Sequence, residues 1–265
     1  MKDKEWKSLI LKSMILLFTV VILCIMFSCG VIGNDKIKAR AGREGKPEGD
    51  PVFEYNAEVK KERISDSELE KLRKASGKVM VIDAGHGGND DGAVTGRGKL
   101  NEKDYTLRVV KELKKLLDKT DITVYYTRLD DTGLSKRKRI NLANKLNADM
   151  FISIHCNASD NRTDTAHGVE ALYSKRYSRN EKITNKKLAS LLANNVSKIM
   201  DSKNRGIKQR EELYLMRHSK VPASIIEIGY LTDKSDLKYI SKKSGRRKIA
   251  RGIYNAIEQA YGLLK

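Results

Sequence analysis

The chain predicts an α/β fold: a single domain with a largely parallel, mixed central sheet covered by helices on both faces. Two observations carry that expectation. From Lys78 onward, runs such as Val79-Met80-Val81-Ile82 and Met150-Phe151-Ile152-Ser153-Ile154 are nearly continuously apolar rather than alternating, as in strands buried on both faces. Between such runs lie segments with apolar residues every three or four positions, the period of an amphipathic helix. Strand and helix in alternation imply parallel crossovers within one sheet.

The first thirty-two residues stand apart from that pattern. Lys2, Lys4, Lys7 and Lys12 precede the uncharged run Ser13–Ile32, and twenty helical residues reach about 30 Å, one bilayer core. The cations on the N-terminal side place the rest of the chain outside the cytoplasm, so residues 1–32 are read as a cleaved signal sequence or a retained membrane anchor. Phe27-Ser28-Cys29-Gly30 resembles a lipobox, although Met26 and Phe27 fit that pattern poorly. Residues 33–77 are rich in charge, Gly and Pro and poor in large apolar side chains, hence a flexible tether. One short helix, Ser65–Ala75, is expected within it.

The folded domain is then expected over 78–265. Lys78–Asp83 is a strand ending in glycines. Asn101–Lys119 is a helix, with Leu107, Val110, Leu113 and Leu117 on one face. Ile122–Thr127, Met150–His155, Gly168–Tyr173, Leu213–Met216 and Ser224–Ile228 read as further strands. Ser135–Leu146, Ile183–Met200 and Ile249–Leu263 read as helices.

Composition narrows the partners. A formal charge of +19 over 265 residues favours polyanions such as wall polymers or anionic headgroups; a solvated lysine-rich surface explains it equally well. No basic stripe interleaved with aromatics is present, so no nucleic acid is expected as a partner. Cys156 is the single cysteine beyond the N-terminal segment, which excludes an internal disulfide in the domain. Following His155 on a strand, it points to the opposite face and reads as a small buried hydrophobe.

The chemistry-bearing residues are few and conspicuous. Two of the four histidines, His86 and His155, sit at the ends of apolar strands, where open α/β sheets bind ligands. Glu227 interrupts Ile225-Ile226-Glu227-Ile228, and Glu102 opens a helix after Gly87–Leu100, a loop with five glycines. These four are separated by 16, 53 and 72 positions, so no local metal motif is present. Two imidazoles and a carboxylate at strand ends nevertheless suit a hydrolytic zinc site with three protein ligands and one water. A carboxylate among isoleucines is costly to bury unpaired. A core glutamate paired with backbone or with Arg128 is the competing reading for Glu227. Asp83 orients His86 or forms a strand-end turn; Asn157 donates to a substrate carbonyl, fixes a ligand or serves a turn. His167 and His218 read as surface or rim residues. Arg205–Arg210 lines a groove or forms a solvated turn.

Taken in order, the blocks Ile82-Asp83-Ala84-Gly85-His86-Gly87-Gly88, Asn101-Glu102-Lys103, Thr127-Arg128, Arg139 with Ala143-Asn144, Ala148-Asp149 with Phe151–Ala158, Gly168-Val169-Glu170, and Pro222 with Glu227-Ile228-Gly229-Tyr230-Leu231 resemble the zinc-dependent N-acetylmuramoyl-L-alanine amidases. The likeness runs from about Lys78 to the C-terminus. Ala84, Tyr230 and Asp233 depart from the usual proline, phenylalanine and asparagine, and none of the three is a ligand position.

The resemblance implies zinc (Zn2+) held by His86, Glu102 and His155, with Glu227 as the catalytic acid/base. It implies hydrolysis of the amide joining N-acetylmuramic acid to the L-alanine of the peptidoglycan stem peptide, outside the cytoplasmic membrane. The plan of anchor, tether and one domain, without wall-binding repeats, is similar to germination-specific amidases that prepare spore cortex. A regulatory protein partner is left open. Two alternatives remain: a zinc peptidase on a related scaffold, and a non-catalytic wall-binding protein.

Overall fold

The computed structural model describes residues 54–55, 77–94, 101–159, 166–176 and 182–264. The expected N-terminal segment and the helix Ser65–Ala75 lie outside them. Among the described residues, no helix is long and apolar enough to cross a membrane.

The elements follow in chain order as β1 (Glu54–Tyr55), β2 (Val79–Ala84), α1 (Glu102–Leu117), β3 (Thr123–Tyr126), α2 (Lys136–Lys145), β4 (Met150–Asn157), β5 (Val169–Tyr173), α3 (Asn185–Met200), β6 (Asn204–Gln209), α4 (Tyr214–His218), β7 (Ala223–Tyr230), α5 (Lys234–Ser241) and α6 (Lys243–Leu264). The strands form one sheet in the order β1-β3-β2-β4-β7-β5-β6. Strands β3, β2, β4 and β7 run parallel. Strand β5 is antiparallel to β7, and β6 runs parallel to β5. The sheet is therefore mixed and mostly parallel, as the strand–helix alternation predicts. The two residues of β1, inside the expected tether, pair antiparallel with β3 at the sheet edge.

Because side chains on a strand alternate faces, each central strand feeds two cores. Met80, Ile82 and Ala84 of β2 join Ile152, Ile154, Ile226 and Ile228 beneath α1, α3 and α6. Val79 and Val81 join Phe151, Ala223 and Ile225 beneath α2 and α4. That parity decides the site. His155 shares the face of Phe151, and Glu227 shares the face of Ile225, so both emerge on the α2–α4 side at the carboxyl ends of their strands. Cys156 falls on the other face and is buried in the larger core. Burial pushes its thiol well above the usual cysteine range.

Local chemistry sets the helix ends. The Ser135 hydroxyl accepts from the Lys138 amide to start α2, and Thr184 does the same for Lys187 at α3. Leu213–Met216, expected as a strand, instead enters the five-residue helix α4 with Leu215 and Met216 buried. A four-residue apolar run does not distinguish the two periods, and here it caps the smaller core. Strand β6 and helix α5 were not expected. Arg205–Arg210 is thus largely an edge strand rather than a turn. Helix α6 begins at Lys243, six residues before the expected start, where Arg246 donates to the carbonyls of Ile240 and Ser241 at the end of α5.

Candidate functional site

The end of β2 carries the first of the predicted residues in an uncommon conformation. His86 has φ of 61°, in the left-handed region that costs a non-glycine residue of order 1–3 kcal/mol. Two buried arginines hold the carbonyls around it. Arg139 donates to Ala84 O at 2.8 Å and His86 O at 2.7 Å; Arg128 donates to Ala84 O at 2.9 Å and Gly85 O at 2.7 Å. Asp83 anchors this arrangement instead of orienting His86. Its carboxylate accepts from Arg139 Nη1 and from the Ser153 hydroxyl, both at 2.6 Å, and from the Thr127 hydroxyl at 2.5 Å. Burial alone would raise the Asp83 pKa, but the Arg139 charge and the two hydroxyls outweigh it and hold the group below its ordinary value.

The partner of the His86 ring is Asp90, from the glycine-rich loop, whose Oδ1 lies 2.8 Å from His86 Nδ1. A proton on Nδ1 directed at Asp90 leaves the Nε2 lone pair facing inward. There Nε2 lies 3.1 Å from Glu102 Oε1 and 3.1 Å from His155 Nδ1, which is itself 2.9 Å from the same carboxylate oxygen. Glu102 is the first residue of α1 and is buried. Its Oε1 also accepts from the Cys156 amide at 3.0 Å, and its Oε2 accepts from the Ala93 amide at 2.9 Å. Those two donors fix the carboxylate plane.

His86, Glu102 and His155, spread over seventy positions of sequence, thus present ligand atoms all within 4.8 Å of one another, a set able to hold a metal ion. Hydrogen bonds and charge from both histidines overcome burial and keep Glu102 well below the usual carboxylate range. Burial would lower His155, but Glu102 outweighs it and raises that pKa. Gly85 permits the close approach: a Cβ there would overlap the His155 ring.

Glu227 is the register neighbour of His155 across the β4–β7 pair. Its Oε2 is buried and has no hydrogen-bond partner. Arg128, the partner considered from sequence, is engaged elsewhere with four backbone carbonyls and the Thr106 hydroxyl, so it does not pair with this side chain. Burial, reinforced by the charges of Glu102 and Glu170 and opposed by His155, pushes the Glu227 carboxyl up to about 7. A carboxyl with that proton affinity exchanges protons near neutral pH.

All four residues line one open cleft of about 320 Å³, together with Asn157. The Asn157 carboxamide donates to Glu170 Oε1 at 2.8 Å, and its Oδ1 accepts from the Ala158 amide, a turn contact. One Nδ2 proton remains beyond the bond to Glu170. His167 and His218 are exposed, and His218 stacks on Tyr214. Two further residues of the site had no role assigned from the sequence. Asp90 sits among glycines and another aspartate, with no pattern to single it out. Glu170 was noted without a role; it is the register neighbour of Glu227 on β5 and pairs with Lys208 at 2.7 Å and Arg205 at 3.3 Å.

Comparison with known proteins agrees with this geometry. Residues 80–259 match the model of the family described as N-acetylmuramoyl-L-alanine amidase. The germination-specific N-acetylmuramoyl-L-alanine amidase of Bacillus subtilis is 33% identical over 196 residues, covering 69% of this chain and 79% of that protein. An N-acetylmuramoyl-L-alanine amidase from Clostridium difficile 630 superposes with a TM-score of 0.65 at 33% identity, over 71% of this chain and 98% of that one. The CwlD amidase from Clostridioides difficile, solved in complex with the GerS lipoprotein, superposes with a TM-score of 0.59 at 29% identity, over 70% and 98%. With two imidazoles and two carboxyls gathered at the strand ends of this fold, the chain belongs to the N-acetylmuramoyl-L-alanine amidases and is a hydrolase of peptidoglycan.

Proposed function

We propose that the chain cleaves the amide between N-acetylmuramic acid and L-alanine with one zinc ion held by His86, Glu102 and His155, and with Glu227 as the acid/base. The donor set supports zinc. A tetrahedral ion with bonds of about 2.0–2.1 Å holds neighbouring ligand atoms roughly 3.3 Å apart, near the 2.9–3.1 Å separations among the two ring nitrogens and Glu102 Oε1. Zinc in such a site supplies Lewis acidity toward the scissile carbonyl and a more acidic water.

The single observation that carries the assignment of Glu227 is its buried, unpartnered Oε2 beside His155. That oxygen takes a proton from the attacking water as the oxygen–carbon bond forms. The same carboxyl then delivers the proton to the amide nitrogen as the carbon–nitrogen bond breaks, so the amine leaves neutral. Asp90 holds the His86 ring by its Nδ1 proton throughout.

The reading extends to setting. Residues 1–32 act as an export signal or membrane anchor, 33–77 as a tether and 78–265 as the catalytic domain, working on the outer side of the cytoplasmic membrane. Likeness to a germination-specific amidase supports a role in spore-cortex maturation, and the GerS complex of a similar amidase supports a lipoprotein partner. Two measurements on the full-length protein test the core of the proposal: about one zinc per chain, and free stem peptides released from intact peptidoglycan by mass spectrometry. A metal-free protein that still releases stem peptides would refute the zinc assignment.

A further inference from the structure

The cleft extends beyond the proposed reaction centre, and its second arm has a different character. Glu227 and Ile225 share one face of β7, two residues and hence about 7 Å apart along the strand. Ile225 is the register neighbour of Leu172 on β5, as Glu227 is of Glu170. Leaving Glu227 along the sheet, the floor therefore changes from carboxyls to aliphatic side chains. Leu213 and Leu215, from the segment entering α4, complete that floor.

Two cations stand over it. Lys136 is the first residue of α2, and Arg210 follows the end of β6, where its amide donates to Tyr173 O at 2.9 Å. Both are exposed and both line the cleft. Among the described residues no carboxylate pairs with Lys136. Arg210 pairs with the exposed Glu212, its Nε 2.9 Å from Glu212 Oε1. The carboxylates lining the cleft are Glu102 and Glu227, both at the reaction centre, whereas Lys136 and Arg210 are its two lysine and arginine side chains.

We infer that this arm is a subsite for the stem peptide, in which Lys136 and Arg210 bind a carboxylate carried by the second residue and the Leu172–Ile225 floor receives the aliphatic part of the peptide. The inference deepens the proposed function and rests on its placement of the scissile amide beside Glu227. An extended peptide advances about 3.3–3.6 Å per residue, so a group two residues past the cleaved bond lies about 7 Å from it, over the start of the apolar floor. The reaction centre is itself rich in carboxyls, which repel an acidic peptide. A cationic arm is what permits such a substrate to enter.

The test compares two muramoyl peptides, identical except that the second residue carries a free carboxyl or its primary amide. The wild-type protein is expected to favour the acid about tenfold in KM at low salt, with kcat alike for both, and to lose part of the preference at high salt. The Lys136→Ala/Arg210→Ala protein is expected to treat the two equally, and Lys136→Glu/Arg210→Glu to favour the amide, with kcat retained in each. Equal handling by the wild type, or a preference untouched by both double variants, would overturn the subsite. Equilibrium binding of the same peptides to the Glu227→Gln protein reads the subsite without turnover. A binding preference there, together with a wild type that cuts neither peptide, would count against the reaction assignment and for the subsite.

Discussion

His155 and Glu227 are direct neighbours on adjacent parallel strands, so an imidazole and a carboxyl emerge on one face at one level of the sheet. The backbone register fixes this pairing, not a loop. Replacing Glu227 by Gln keeps size and burial while removing the proton acceptor. Zinc content is expected to stay near one per chain while kcat falls about 10²–10⁴-fold. Metal analysis beside a muropeptide assay checks it; unchanged kcat would refute the role of Glu227.

The same side chain predicts a pH dependence of stability. In the metal-free protein the Glu227 carboxyl titrates near 7 instead of near its ordinary 4.5. Between those values the folded state keeps a proton that the unfolded state releases, so folding weakens as pH rises through the window and levels off above it. Glu227→Gln removes the effect. Its stability gain over wild type is expected to grow from near zero at pH 4 to at most roughly 3 kcal/mol at pH 8. Urea unfolding of chelator-treated protein across that range measures it, and parallel curves for the two proteins would contradict it.

The four residues that the structure gathers in one cleft stood out in the sequence because each breaks its surroundings: a histidine ending an apolar strand, a glutamate among isoleucines. What surrounds them did not. Asp83 lies near His86 in sequence, but on its strand it shares the face of Val81, toward α2, where Arg139 waits. No local pattern reveals a partner fifty-six residues away. Strand β6 was missed because its sequence, Asn204-Arg205-Gly206-Ile207-Lys208-Gln209, lacks an apolar run. An edge strand pairs on one side only and stays largely exposed, so burial does not select its residues. Helix α4 was misread because four apolar residues satisfy either period.

Arg139 ties the Asp83 carboxylate to the carbonyls of Ala84 and His86, and both charges are buried. Arg139→Ala would strand the Asp83 charge and release the left-handed turn at His86. A loss of about 3–5 kcal/mol is expected. Arg139→Lys is expected to recover only part, since an ammonium cannot span three acceptors in one plane. Thermal unfolding of the three proteins tests this; a lysine variant as stable as wild type would show that charge alone suffices.

Gly85 separates folding from metal binding. An alanine Cβ there would overlap the His155 ring, while the Gly85 backbone needs no unusual φ. The ring must rotate or shift, and zinc affinity is expected to fall at least about tenfold with the circular dichroism spectrum unchanged. Retained affinity in Gly85→Ala would mean that His155 has freedom its packing denies.

Asp90 offers the most discriminating change, because it touches the metal set only through His86. Its Oδ1 meets His86 Nδ1 at 2.8 Å and also accepts from the Gly92 amide at 3.2 Å, so it fixes both ring and loop. The carboxylate is held below its ordinary pKa despite some burial, through its bond to His86 and that ring's charge. Asp90→Ala removes the acceptor, freeing the ring to turn its Nε2 from Glu102, and a 10–100-fold weaker zinc affinity is expected. Asp90→Asn keeps an oxygen able to accept from Nδ1 without the charge. If ring orientation is the main contribution, its affinity stays within a few-fold of wild type; if the charge strengthens His86 as a donor, it falls as far as the alanine variant. Competition with a chromophoric chelator measures both, and an alanine variant that binds zinc like wild type would remove Asp90 from the site.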